Sequence, residues 1–318
     1  MPGFYISRPT PHTYNENIDM MRIRTIFVSF VAVVMVVVLT PIVSPGASFP
    51  DIVTISETTV TRWNFNTSQD VYKNNTGTRL FGDMTRSNDG RYLAYRTSYR
   101  GGNTPALFEI NPNTGVSTLV VQSSTGAPEV VALTAAPDGD LFGYDNNLQF
   151  IRINPNTLAY TVVPISTSNS ATYMGTGGMA TSPNGEIYAW ASGFSSTSPG
   201  VFSKLFKIDL NAGTALAIGG FDGLSVGQNI DAMAFTPDGR LFGFTEINGG
   251  INGGPFVPNG IYEFNLQTGM PTLLGQRSEL ADVRGAVFVP EPSTILLLAL
   301  NVVLITFYYC WRKRVGCH

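Results

Sequence analysis

Four segments of this chain align with one another without gaps: Met84 to Tyr95, Leu133 to Tyr144, Met179 to Trp190 and Met233 to Phe244. Each runs through a short apolar stretch, a tight turn of the Pro-Asp-Gly type, and a second stretch with spaced aromatics. The turns are Asn88-Asp89-Gly90, Pro137-Asp138-Gly139, Pro183-Asn184-Gly185 and Pro237-Asp238-Gly239. Turn residues between two short apolar runs make a β-hairpin. The turn glycines stand 49, 46 and 54 residues apart. A period of that length means that one supersecondary unit is built repeatedly and buries its faces against its neighbours.

A second element follows each hairpin: Leu107 to Gly115 (LFEINPNTG), Phe150 to Leu158 (FIRINPNTL), Leu205 to Gly213 (LFKIDLNAG) and Ile261 to Gly269 (IYEFNLQTG). Each leads through a polar turn into a last strand, such as Ser117 to Val121 or Pro271 to Leu274. Four strands per repeat is the blade of a β-propeller. From about Val60 to Pro290 the pattern resembles the WD40-like bacterial propellers, without the His and Trp-Asp signature of true WD40 repeats. The resemblance implies an all-β fold.

The ends of the repeat specify how the array closes. Val60 to Ser68 (VTRWNFNTS) matches the second element with no such hairpin before it, and Gly285 to Pro290 (GAVFVP) matches the start of the hairpin. Ala286 falls in register with Met84, Leu133, Met179 and Met233. The two ends together make a fifth, composite blade, with Asp51 to Ser56 as its missing strand. The expected domain, residues 49–289, is therefore a five-bladed ring of four-stranded blades. The alternative, an open array of four, would leave unpaired strand edges.

Hydrophobic helices are expected on both sides of this domain. Residues 1–20 are a polar extension ahead of a unit at 21–48, where Arg22 and Arg24 precede the apolar run Ile26 to Leu39 and the small residues Ser44 to Ser48. That pattern is a secretory signal peptide, or a signal anchor if it is retained. At the other end, Val289-Pro290-Glu291-Pro292-Ser293-Thr294 precedes an apolar segment from Ile295 to Trp311 and the basic cluster Arg312-Lys313-Arg314. Residues 290–318 thereby resemble the bacterial PEP-CTERM sorting signal. Seventeen mostly apolar residues make roughly 25 Å of helix, enough to enter a membrane with the basic cluster on its cytoplasmic side. The resemblance implies a membrane-embedded processing enzyme, an exosortase, that recognises Pro290, Glu291, Pro292 and Ser293, with Arg312, Lys313 and Arg314 orienting the tail. It also implies export, followed by anchoring or release to the cell surface or extracellular matrix.

Composition removes whole classes of chemistry from the central domain. Both histidines, His12 and His318, and both cysteines, Cys310 and Cys317, lie outside it. A Ser-His-Asp or Cys-His nucleophile, a zinc site with His or Cys ligands and a disulfide all need residues that it lacks. Between Phe49 and Val289 the chain has 13 Lys plus Arg against 19 Asp plus Glu, a net of −6. That balance offers no footprint for nucleic acid. No catalytic residue, metal or cofactor is assigned.

The order of strands places all short turns at one face of the ring and all long connections at the other. The long connections include Arg96 to Ala106, Ala191 to Lys204 and Thr245 to Gly260, with Pro164 to Gly178, Gly220 to Ile230 and Gln276 to Val283 between blades. A ligand is expected on that long-loop face, where Tyr99, Arg100, Asn103, Phe194, Asn248, Asn252 and Phe256 are the candidate contacts. Asp138, Asp140 and Asp145 could suggest a calcium loop, but they lack the dense spacing of an EF-hand. Two functional classes follow. The favoured one is a non-enzymatic envelope protein that binds a polysaccharide or a protein partner. The alternative is a carbohydrate-active enzyme using two carboxylates from among Asp83, Asp231, Glu246, Glu279 and Asp282.

Overall fold

The computed structural model describes residues 50–290, apart from 77–80, 98–103, 124–126, 148, 168–171, 195–200, 219–229, 246–258 and 278–281. They belong to one compact unit, Ser48–Pro292. The expected terminal helices lie outside the described residues, among which no helix is long and apolar enough to cross a membrane.

The described strands form five sheets. Blade 1 contains β4 (Phe81–Arg86), β5 (Tyr92–Arg96), β6 (Ala106–Ile110) and β7 (Ser117–Gln122). Blade 2 contains β8 (Val130–Ala135), β9 (Leu141–Asp145), β10 (Phe150–Ile153) and β11 (Tyr160–Val162). Blade 3 contains β13 (Thr172–Thr181), β14 (Ile187–Phe194), β15 (Val201–Asp209) and β16 (Thr214–Ala217). Its outer edge carries one further strand, β12 (Ser166–Thr167), parallel to β16. Blade 4 contains β17 (Ile230–Phe235), β18 (Leu241–Thr245), β19 (Gly260–Phe264) and β20 (Pro271–Gln276).

Blade 5 is the composite one, in the order β21 (Gly285–Phe288), β1 (Ile52–Ile55), β2 (Thr59–Asn64) and β3 (Gln69–Asn75). The join is antiparallel, with Ile52 opposite Phe288 and Ile55 opposite Gly285. The C-terminal strand therefore supplies the innermost strand and the N-terminal segment the outer three.

Successive residues of a strand point to opposite faces, and in the inner strands both faces are covered by a neighbouring blade, whereas the outermost strands are largely exposed. In β1, Ile52 enters the cluster shared with blade 4 through Phe242 and Phe244, while Val53 enters the one shared with blade 1 through Phe81 and Met84. Three more clusters fill the remaining interfaces, around Leu133 and Leu141, Phe142 and Met179, and Trp190 and Met233. Burial on both sides explains why β1, β9 and β21 are buried at every position and do not alternate.

The repeated turns have one construction. In the first hairpin of blades 1 to 4 the glycine amide reaches back to the residue three positions earlier, as Gly139 N to Ala136 O at 3.1 Å and Gly239 N to Thr236 O at 2.9 Å. In the second turn an Asx side chain accepts from the amides that follow it, as Asn265 Oδ1 does from Gln267 and Thr268. That turn ends in a left-handed residue, which is Ser68, Gly115, Leu158, Gly213 or Gly269 in the five blades.

Candidate functional site

Each inner strand (β4, β8, β13, β17 and β21) has a hydrogen-bonded partner on one side only, so its free edge of amides and carbonyls faces the axis. The protein meets this demand with side chains that cross between blades. Asp83, 2% exposed, accepts from its neighbour Met84 N at 2.6 Å and from Leu133 N of blade 2 at 2.6 Å. Thr85 Oγ1 accepts from Ala135 N at 3.0 Å. Thr134 and Thr181 share a hydroxyl bond of 2.8 Å, and Thr181 also donates to Ala135 O at 2.5 Å. At the turn, the Asn88 amide donates to Ala136 O and Pro137 O at 3.0 and 2.9 Å. Blades 1, 2 and 3 are thus stitched along the axis by five side chains.

Asp83 carries the most perturbed carboxyl. Burial raises its pKa well above the ordinary carboxylate range, against the lowering effect of its two amide donors, and the nearby Asp231 carboxylate adds to the rise. Asp83 and Asp231 therefore share one region of the interior. Asp282 instead bonds Arg284 at 2.8 Å. Glu246 and Glu279 lie outside the described residues. Both oxygens of Asp83 are held by backbone amides, which makes this carboxylate a strut between β4 and β8.

Below these stitches the axis opens into a cavity of about 370 Å³ at the short-turn face. Its walls have two characters, because the same aligned positions carry different residues around the ring. The polar lining is concentrated in blades 1 to 3, which supply Thr85, Arg86, Ser87, Asn88, Thr134, Thr181 and Ser182 beside Met84, Ala135, Met179 and Ala180, whereas blades 4 and 5 supply Met233, Ala234, Phe235, Val287 and Phe288 with Thr236 as their one hydroxyl. Among the described residues Arg86 is the one charged residue of the lining, and it is exposed. Most carboxylates of the surrounding turns are matched by other cations: Asp89 with Arg91, Asp138 and Asp140 with Arg152, Glu186 with Lys207, and Glu263 with Arg240; Asp238, in the blade 4 turn, acts on Arg240 only through its charge.

This cavity was not among the sequence-derived candidates. Of the expected long-loop contacts, Tyr99, Arg100, Asn103, Asn248, Asn252 and Phe256 lie outside the described residues. Phe194 is not a loop residue. Its backbone sits in the ladder between Thr172 and Val201, because β14 and β15 continue through most of Ala191 to Lys204. On the same face Asn259, left-handed at φ 54°, buries an Oδ1 that has no hydrogen-bond partner among the described residues. The three aspartates of the calcium idea are split. Asp138 and Asp140 both engage Arg152 at the short-turn end of β9, and Asp145, at its opposite end, accepts from the Asn147 and Gln149 amides. Of the sorting motif, Pro290 is described and half-buried, while Glu291, Pro292, Ser293, Arg312, Lys313 and Arg314 lie outside the described residues.

Both chain ends leave the ring at the short-turn face. β21 runs toward that face and β1 starts from it, and Val289 N donates to Asp51 O at 2.7 Å where they part.

No protein-family model matches the chain, and no curated protein is similar to it. Among solved structures it is similar to TolB from Acinetobacter baumannii, with 13% identity and a TM-score of 0.42 over 72% of this chain and 53% of that one. It thus spans about half the length of that protein. A candidate 6-phosphogluconolactonase from Bacteroides fragilis is 14% identical, with a TM-score of 0.44 over 78% of this chain and 99% of that one. A Bacteroides thetaiotaomicron protein of unknown function is 16% identical, with a TM-score of 0.45 over 74% of this chain and 60% of that one. At such identities and TM-scores these likenesses bear on neither activity nor ligand, and the five-bladed ring rests on its own strand pairing.

Proposed function

We propose that this chain is an exported envelope protein, anchored by its C-terminal tail or processed by an exosortase-type enzyme, whose propeller binds a polysaccharide or protein partner without catalysing a reaction. The observation that supports it is where the closing strand stops. β21 ends at Phe288, two residues before the Pro290-Glu291-Pro292 motif. A cut at or after that motif removes no strand residue and leaves the ring closed. The described ends of the propeller, Asp51 and Val289, meet at the short-turn face, opposite the long-loop face proposed for a partner. A non-catalytic role agrees with Asp83, whose oxygens are committed to backbone amides.

The test compares intact masses of wild type and of Glu291→Ala/Pro292→Ala protein in a host that has an exosortase. Wild type should lose the segment after the motif, and the variant should stay at full length in the membrane fraction. Equal masses would reduce the tail to a plain anchor. A glycan array probed with the released protein then tests binding.

A further inference from the structure

We propose that the axial cavity at the short-turn face binds a small organic carboxylate with a flat, partly apolar body. The inference concerns a different face from the one given to the envelope partner and does not depend on the fate of the tail.

Three observations carry it. First, Arg86 stands exposed in the cavity lining, and its guanidinium makes no ion pair or hydrogen bond to any described residue, acting on Tyr92 only through its charge. The carboxylates Asp89, Asp138, Asp140, Glu186 and Glu263 of the neighbouring turns are bonded to other cations, and Asp238 makes no ion pair with it, so none of them is bonded to Arg86. A guanidinium with free donors takes a carboxylate through two parallel N–H bonds. Second, the wall across the ring is mostly apolar, Thr236 apart. Phe235 and Phe288 stand where blade 1 has Arg86 and blade 3 has Thr181. Phe288 is 2% exposed and packs on Phe65 and Phe242, so a ligand held by its anion at blade 1 meets the half-buried Phe235, with Met233 and Val287 also in the lining. Third, a volume of about 370 Å³ lies at the small end of the range for small-molecule sites. It suits a single ring or one terminal residue of a polymer.

These features separate the proposed ligand from its neighbours in chemistry. A neutral sugar would leave Arg86 without an anion, and inorganic phosphate would leave the exposed part of Phe235 uncovered.

The experiment is isothermal titration calorimetry on the full-length chain in a neutral detergent, with four probes: benzoate, glucuronate, inorganic phosphate and glucose. The two carboxylates should bind at least tenfold more tightly than phosphate and glucose. Arg86→Gln, an exposed substitution that leaves the stitches in place, should weaken them at least tenfold, and Arg86→Lys should restore part of the loss. Phe235→Ala should weaken benzoate more than phosphate. Binding of glucose as tight as that of glucuronate, phosphate as tight as benzoate, equal binding by Arg86→Gln, or no heat from any probe at millimolar concentration would each overturn the proposal.

Discussion

Removing the Asp83 side chain should be among the most damaging single changes in the ring, and its size follows from two hydrogen bonds. Asp83 is 2% exposed, and its oxygens each lie 2.6 Å from a backbone amide, one on Met84 and the other on Leu133 of the next blade. Asp83→Ala strips both acceptors from amides that water does not reach. Each such orphan costs about 1–3 kcal/mol, so the sum is roughly 2–6 kcal/mol out of a domain stability that is typically about 5–15 kcal/mol. Asp83→Asn keeps one acceptor and turns an NH2 group toward the other amide, which costs about 1–3 kcal/mol. The pH dependence adds a second readout. Burial raises the pKa of Asp83 in the folded chain. The native state therefore holds this proton at pH values where the unfolded chain has released it. Stability from this group is greatest below the ordinary carboxylate range and is lost as pH rises through the raised folded pKa. Urea denaturation at a series of pH values measures both effects. Wild type should lose stability with rising pH across that window, and Asp83→Asn should lack this slope, so the gap between them narrows. An Asp83→Ala protein within about 0.5 kcal/mol of wild type, the range of ordinary surface changes, would refute the reasoning, as would equal pH slopes for wild type and Asp83→Asn.

The inner strands also approach one another too closely for side chains at certain positions. A Cβ on Gly285 would lie 2.3 Å from Met84 N and 2.8 Å from Asp83 Oδ1, so Gly285→Ala should cost about 1–3 kcal/mol by overpacking, read as a lower melting temperature. At the second turn of blade 5, Ser68 is exposed and left-handed at φ 58°. Ser68→Gly removes a backbone cost of about 1–2 kcal/mol against a glycine entropy cost of about 0.5–1 kcal/mol and the loss of the bond its Oγ accepts from Arg277 Nη2 at 2.6 Å, worth about 0.5–1.5 kcal/mol, so thermal melts should show a change within about 1 kcal/mol of zero. The aligned Leu158→Gly should destabilise clearly, because Leu158 is 3% exposed and its burial is worth roughly 1.5–3 kcal/mol.

The ring was legible in the sequence because its demands on backbone geometry fall on few residue types. Gly139, Gly185 and Gly239 mark the hairpins through their positive φ, and Asn111, Asn154 and Asn265 mark the second turns by capping them. The composite blade was legible for a packing reason: Ala286 holds the register of Met233 and Met84, and its neighbours Val287 and Phe288 enter the same clusters as those strands. The extension of β14 and β15 was not legible. Ser192-Gly193-Phe194 and Val201-Phe202-Ser203 pair through their backbones, and a Ser- and Gly-containing stretch reads as a loop. The parallel strand β12 has two residues, too few for any periodicity. The cavity escaped because long connections drew attention to the opposite face. Its signal was nonetheless present in the inner strands, where Thr85, Thr134 and Thr181 put hydroxyls at aligned or adjacent positions of the repeat. Asp83 was visible as a carboxylate, but its task depends on Leu133 N, 50 residues away, and no local pattern encodes that pairing.

The closed ring is the claim on which the rest depends, and one crosslink tests it directly. Val289 N bonds Asp51 O, so by alternation Thr54 and Ala286, which face each other in the register of β1 and β21, form a non-hydrogen-bonded pair. Such pairs bring Cα atoms to about 4.5 Å, within reach of a disulfide. Thr54→Cys/Ala286→Cys in a chain with Cys310→Ser and Cys317→Ser should therefore oxidise spontaneously, losing the mass of two hydrogens. The crosslink should stabilise the propeller by roughly 3–5 kcal/mol relative to its reduced form. Two thiols that stay open to alkylation in the folded protein under oxidising conditions would contradict the ring.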